Sequence, residues 1–270
     1  MVMINTWPRI PFSPAEKCGF TALACAALFA FVSWYLALIP LILFLLLCCI
    51  APFVPSFAFF LPVISRARNG QEGIALTFDD GPDPLSTPVI LKLLVKYDVQ
   101  ATFFVVGLRA AKHPELIDEI LAQGHTIGNH SWDHDYYLML RPTAKLHENI
   151  FKTQDILKQA GIAPYVFRAP MGITGPRLER VLQQEGLIAV NYSCRAFDRG
   201  NRDIHNLAAK ILKRLRPGDI IMLHDLPPKQ EGQMSVWQQE LDHLIGNLAA
   251  HHSITPLARI ICRPVMEKIE

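Results

Sequence analysis

From Cys18 to Ile64 the chain carries no charged residue, and beyond Glu72 its apolar positions fall into short runs that alternate with amphipathic segments. The uncharged stretch is bounded by Lys17 and Arg66 and is far longer than the apolar region of a signal peptide. It has room for two membrane helices of roughly 20 residues each. Pro40 is a natural break, which predicts a first helix over Cys18–Leu38 and a second over Leu41–Leu61, kinked or shortened by Pro52 and Pro55. Neither segment has a polar face, which argues against a buried soluble pair, and Trp34 and Tyr35 suit a membrane interface. The pattern divides the chain into a tail (1–17), a membrane-anchor region of one or two transmembrane helices (18–64), a linker (65–72) and a domain (73–270).

Within the domain, strand-like runs are expected at Ile74–Phe78, Thr102–Val106, Thr126–Gly128, Tyr165–Phe167, Leu187–Tyr192, Asp219–Leu223 and Ser253–Leu257. Helices are expected between most of them, at Pro88–Tyr97, Pro114–Gln123, Thr143–Ala160, Arg177–Glu185, Leu207–Leu215 and Val236–Ala250. Gly124, Gly161 and Gly186 stand where helices stop. Seven strands alternating with helices describe an α/β fold with a parallel sheet buried by helices. Right-handed crossovers then give a barrel or a doubly wound sheet. Polar residues of catalytic type follow four or five different strands, and a barrel brings those ends to one mouth.

Charge adds a constraint on partners. The net charge is +2 and the basic residues are scattered, so there is no electrostatic footprint for nucleic acid. Arg9 and Lys17 precede the uncharged stretch, and Arg66 and Arg68 follow it. Positive flanks on both sides suit a hairpin with both ends in the cytoplasm, whereas a single span would export the C-terminal domain. Four of the six cysteines lie within the uncharged stretch, leaving Cys194 and Cys262, which is no disulfide framework.

Three strings carry candidate chemistry: Thr77-Phe-Asp-Asp-Gly-Pro82, His130-Ser-Trp-Asp-His134 and Ile221-Met-Leu-His-Asp225. Asp79 and Asp80 end a strand, where successive side chains diverge and can take separate tasks; alone, Asp-Asp-Gly-Pro is also ordinary turn chemistry. His130 and His134 are spaced i,i+4, so a helical turn would put both imidazoles on one face. A carboxylate from another strand would complete a three-ligand site of the catalytic zinc type. His125 reads as structural, since one spacing of the two fits a shared ion. His224 ends a strand in a position suited to an acid, and Arg168 follows another, suited to holding a carboxylate through a bidentate contact.

Together these strings resemble the polysaccharide deacetylase (NodB-homology) family, carbohydrate esterase family four, over about Gly73–Leu257. The resemblance implies a distorted barrel of seven βα units preceded by the anchor. It implies that Asp80, His130 and His134 hold a divalent metal, usually Zn²⁺, and that Asp79 is the general base toward water activated by that metal. It also implies His224 as general acid, Arg168 as the tether of Asp79, Asp198 as the partner of His224, and the Met171 main-chain N–H as oxyanion donor. Two positions depart from the family habit: Met171 where an aromatic residue is frequent, and Arg199 where a tryptophan follows the aspartate.

The implied reaction is hydrolytic removal of an N-acyl group, acetyl first among them, from an amino sugar. An exported domain would meet peptidoglycan or another polysaccharide; a cytoplasmic one beside a hairpin would suit a polyprenyl-linked sugar, with membrane lipid as a further partner. The alternative is an inactive, membrane-anchored sugar-binding homologue. All five positions of the metal, base and acid set are filled, which favours the enzyme.

Overall fold

The computed structural model describes residues 12–67 and 72–269, so Arg9 and Arg68 of the charged flanks lie outside the described residues. Two helices open the described chain, α1 (Pro14–Ala30) and α2 (Trp34–Ile50). Ser13 and Glu16 form a reciprocal capping box that starts α1 before the uncharged stretch begins. The chain reverses at Phe31–Ser33, not at the predicted Pro40, which sits inside α2. A proline there removes one helical hydrogen bond, and in an apolar segment the neighbouring backbone groups gain by staying paired within the helix.

Both ends of this hairpin meet the domain. The Ala15 N–H donates to the Phe59 carbonyl at 3.0 Å. Ala15, Ala51, Phe59 and Leu61 share one apolar cluster with Leu178, Val181 and Leu182. The turn end is exposed, with Phe31 at 90% and Val32 at 77%. Trp34–Phe53, 20 residues, is the one helical segment among the described residues long and apolar enough to cross a membrane, by length and composition.

The domain follows in alternating order: β1 (Val63–Ile64), β2 (Ala75–Asp79), α3 (Thr87–Lys96), β3 (Thr102–Val105), α4 (Gly107–Lys112), α5 (Pro114–Ala122) and β4 (Thr126–Asn129). Next come α6 (Thr143–Gln159), β5 (Ile162–Pro164), β6 (Val166–Phe167), α7 (Leu178–Gln184), β7 (Ile188–Val190) and β8 (Cys194–Arg195). Last are α8 (Leu207–Leu212), β9 (Ile220–His224), α9 (Met234–His251), α10 (Leu257–Ile261) and β10 (Met266–Lys268). Among the described residues, eight strands form one parallel sheet ordered β1-β7-β6-β4-β3-β2-β9-β8. β5 and β10 pair separately and antiparallel.

The expected distorted barrel takes the form of a curled, parallel half-barrel of eight strands. No ladder joins its edge strands β1 and β8 among the described residues; Arg66, just past β1, bridges to Asp219, just before β9. Nor is the last expected strand a strand: Ile254 makes a single bridge to Ile74, and Leu257–Ile261 is helical. Leu257, Ile260 and Ile261 recur at helical spacing after Pro256, and they bury against one face of the sheet.

Strand alternation sorts the core. Leu76, Phe78, Ile221 and Leu223 face the helices α3, α8 and α9. Ala75, Ile220 and Met222 pack on the other face with α10. By the same period of two, Thr77 and Asp79 share the face of Ala75, and His224 shares that of Ile220 and Met222. The strand register alone therefore turns the base and acid candidates toward one space.

Candidate active site and metal centre

The expected residues all lie at or just past C-terminal strand ends. Asp79 and His224 end the adjacent strands β2 and β9 and are register partners. His130 follows β4, Arg168 follows β6, and Asp198 lies shortly after β8. Asp80 leaves the strand at φ +76°, a left-handed conformation uncommon for a side chain other than glycine. That turn separates its carboxylate from that of Asp79. The two histidines meet differently from the expectation. Residues 130–134 form an irregular loop, not a helical turn, with Ser131 at φ +70° and His134 at φ +54°. The Asn129 side chain accepts from the Ser131 N–H at 2.8 Å and fixes this loop, bringing the two imidazole rings to 5.1 Å.

Asp80, His130 and His134 each offer one ligand atom, and these atoms lie within 4.8 Å of one another. Asp80 Oδ1 is 3.2 Å from His130 Nε2 and 3.1 Å from His134 Nε2. It is buried, yet no hydrogen bond satisfies it. The ion-pair distances and that missing hydrogen bond are compatible, because the nitrogens lie close without donor geometry. His130 Nδ1 lies 2.7 Å from the Arg168 carbonyl. A ring held through Nδ1–H presents Nε2, the arrangement of a metal-ligating histidine oriented from behind. Burial works against ionisation of Asp80, but the two imidazoles hold its carboxyl well below the usual range. Burial likewise pulls His134 down, and Asp80 more than offsets it, raising the imidazole. Such a cluster draws positive charge, and its donor set fits a divalent metal.

Beside it, Arg168 is wholly buried and its Nη1 donates to Asp79 Oδ1 at 2.6 Å and to Thr77 Oγ1 at 2.7 Å. Its Nε and Nη2 donate to the carbonyls of Val190 and Asn191. The tether of Asp79 is therefore a single-nitrogen contact, not the bidentate fork expected, because the other donors are taken by main chain. The guanidinium carbon lies over the Phe104 ring, 3.9 Å from its centroid. On the far side, His224 Nδ1 lies 2.7 Å from Asp198 Oδ2. Burial lowers the His224 pKa, but the Asp198 carboxylate, with Asp80 and Asp79 beyond it, raises it to about 9. Met171 stands at φ +59° in a tight turn whose bonds run from Gly172 N–H to the Ala169 carbonyl and from Ile173 N–H to that of Pro170, bypassing its own N–H.

Residues 66–190 match the polysaccharide deacetylase family. A chitooligosaccharide deacetylase from Bradyrhizobium sp. (strain ANU 289) is 34% identical over 180 residues, covering 64% of this chain and 82% of the relative. A peptidoglycan-N-acetylglucosamine deacetylase from Bacillus cereus is 34% identical over 159 residues, 58% of this chain and 74% of that one. The chain belongs to the polysaccharide deacetylase family. A solved peptidoglycan N-acetylglucosamine deacetylase superposes with a TM-score of 0.67 at 30% identity, over 75% of this chain and 94% of that one. The peptidoglycan deacetylase PdaC of Bacillus subtilis gives 0.63 at 28%, over 71% and 91%.

As a polysaccharide deacetylase, the chain is a hydrolase of carbon–nitrogen amide bonds. Its site also holds residues to which the sequence assigned no role. Asn191 donates to the carbonyls of both Pro55 and Gly172 at 3.0 Å, joining the segment after the hairpin to the Met171 turn. Asn201 donates to the carbonyls of His224 and Leu226. Asp225, adjacent to His224, accepts from the hydroxyls of Ser86 and Thr87, both at 2.6 Å, and its N–H donates to the Asp79 carbonyl at 2.7 Å. Asp225 was visible in its string; Asn191 and Asn201 had no sequence signal, because their partners are main-chain carbonyls from distant segments.

Proposed function

We propose that this deacetylase removes the N-acetyl group from an amino sugar of a polysaccharide, peptidoglycan or lipid-linked glycan, and that its catalytic domain (73–270) works at a membrane held by region 18–64. The single observation that carries the reading is the joint placement of the Asp79–Arg168 pair, the Asp80–His130–His134 cluster and the His224–Asp198 pair at one end of the sheet. The named relatives act on chitooligosaccharide and on peptidoglycan N-acetylglucosamine, which supports the acetyl group as the one removed.

Asp80, His130 and His134 would hold a divalent metal, with zinc preferred by the nitrogen-rich set. When bound, it supplies a Lewis acid and brings the pKa of coordinated water toward about 7. Asp79 accepts the proton of the attacking water, with Arg168 fixing its carboxylate in place. The Met171 N–H stabilises the developing oxyanion, its turn pinned by the Tyr192 hydroxyl donating to the Met171 carbonyl at 3.4 Å. His224, engaged at Nδ1 by Asp198, carries the transferable proton on Nε2 and gives it to the departing nitrogen as the C–N bond breaks. The water oxygen bonds to the carbonyl carbon as the C–N bond breaks, one proton passes to Asp79 and one leaves His224, and the resulting carboxylic acid gives its own proton to the released amine or to solvent.

Metal analysis of the purified protein with N-acetyl chitooligomer turnover tests this reading. About one divalent metal per chain is expected, and Asp79→Asn should abolish turnover with metal retained. Loss of metal in that variant would mean that the two aspartates have exchanged roles, and turnover by metal-free protein would overturn the mechanism.

Membrane attachment is supported by the apolar Trp34–Phe53 helix and by the hairpin geometry. Both hairpin ends join the domain, so the domain and the start of α1 lie on one face of the bilayer. Lys17 and Arg66 at those ends favour the cytoplasmic face.

A further inference from the structure

A cavity of about 510 Å³ opens in the seam between the edge strands β1 and β8, outside the catalytic cluster. Arg66, Arg195 and Arg214 line it, with Tyr192, Phe197 and Pro55. In a protein whose net charge is +2, three guanidiniums on one cavity are a marked local concentration. Arg66 is neutralised by the buried Asp219 at 2.6 Å. The other two are not. Arg195 lies 4.2 Å and Arg214 4.9 Å from the same Phe197 ring, and no carboxylate pairs with either among the described residues. The ring face offsets part of their repulsion, but two like charges over one ring are left wanting an anion. Arg195 also donates to the hydroxyl of Tyr192, another lining residue, at 3.0 Å.

The backbone pays attention to the same place. Phe197, which lines the cavity, is at φ +60°, and Arg199 and Asn201 beyond it are at +54° and +59°, conformations that side chains other than glycine rarely adopt. This strained segment puts Phe197 at 52% exposure on the cavity while Asp198, the next residue, is buried against His224. Tyr192 is a wall common to both sites: its hydroxyl reaches the Met171 carbonyl, and the Arg168 guanidinium lies 5.7 Å from its ring. Pro55, also on the cavity, follows the end of the apolar Trp34–Phe53 helix.

We infer that this cavity binds the phosphoryl group of a lipid-linked substrate, so that the amino sugar reaches the catalytic residues while its lipid runs back along the hairpin. A guanidinium pair matches phosphate oxygens in planar, multidentate fashion. The cavity has room for a phosphodiester or diphosphate, and its position between the catalytic loops and the hairpin base suits a headgroup with a sugar on one side and a lipid on the other. The inference rests on the deacetylase reading above, and it narrows the substrate to an N-acyl amino sugar carried on a lipid phosphate.

The test uses the full chain in nonionic detergent with three substrates: N-acetylglucosaminyl phosphate on a short polyprenol, soluble N-acetylglucosamine 1-phosphate, and chitotetraose. The lipid phosphate should be preferred over chitotetraose by about tenfold or more in kcat/KM, and Arg195→Gln with Arg214→Gln should erase that ratio. A wild-type protein without the preference, or a double variant that keeps it, overturns the proposal. Equal gain with the soluble sugar phosphate overturns the lipid assignment. Calorimetric binding of farnesyl phosphate, with farnesol as control, separates this from the deacetylase reading. If no N-acetyl sugar is hydrolysed yet farnesyl phosphate binds and the double variant loses it, the cavity stands and the reaction does not. If farnesyl phosphate fails to bind, the cavity assignment falls whatever the activity.

Discussion

Asp198 meets the proposed general acid through one atom of one ring. Its Oδ2 lies 2.7 Å from His224 Nδ1 and is the foremost charge raising that imidazole to about 9, against the downward pull of burial. A general acid must be protonated, so activity should fall as pH rises through that value. Asp198→Asn takes away the charge and leaves burial, which lowers the pKa, so the alkaline limb of kcat/KM should move to lower pH; an unmoved limb would detach Asp198 from the acid. His125 shows the opposite sign. Burial lowers it from 6.5 to about 4, its Nδ1 accepts from the Ala101 N–H at 3.4 Å, and Nε2 finds no partner. The neutral ring is therefore the folded form, and its contribution is full above about pH 6.5 and is lost as pH falls toward 4. Denaturant melts at graded pH should show His125→Gln losing stability less steeply across that window than the wild type. At this scale the sequence was legible where one residue type has one chemical use, as in the Asp-Asp and His-x-x-x-His strings. It was silent on Thr77 and Asn191, whose roles come from neighbours supplied by the fold.

The β2 strand end shows how an element, rather than a residue, sets the site. Gly81 sits directly after the two aspartates, and a Cβ placed there would overlap the Asp225 carboxylate. Asp225 is itself wholly buried, tied to Ser86 and Thr87 at the start of α3 and to the Asp79 carbonyl. Gly81→Ala should therefore push β2 and β9 apart at the ends that carry Asp79 and His224. The expected cost is about 1–3 kcal/mol of stability, as for an overfilled core, together with a fall in kcat larger than any rise in KM; chemical denaturation and steady-state kinetics would show whether both move. Elements with a long repeating pattern were the readable ones. Six of the seven expected strands are present, from Ala75–Asp79 to Ile220–His224. The edge strands β1 and β8 have two residues each, too few to show a period, and they emerge because β7 and β9 offer them partners.

For the whole molecule, the decisive relation is between hairpin and domain. Hydropathy marked the uncharged stretch but misplaced its turn, since Pro40 carries a strong local signal and Phe31–Ser33 a weak one. With the turn at Phe31–Ser33, α1 and α2 have 17 residues each, roughly 25 Å of helix, somewhat short of a hydrocarbon core of about 30 Å. Both open ends are fastened to the domain through the apolar cluster that Ala15 and Ala51 share with Leu178, Val181 and Leu182, and Ala15 is also tied to Phe59 in the segment after the hairpin. If the hairpin sits in a bilayer as proposed, a chain held in this way keeps the start of α1 and the domain on the same side. Cys18, near the start of α1, and Cys262, late in the domain, are both exposed and serve as natural reporters. In otherwise cysteine-free variants, a membrane-impermeant maleimide should label both from the same side of sealed vesicles. Val32→Cys, at the turn, should resist labelling from that side. Labelling of Cys18 and Cys262 from opposite sides would show that the hairpin opens in the membrane, and would detach the seam cavity from the bilayer surface on which a lipid-borne substrate depends.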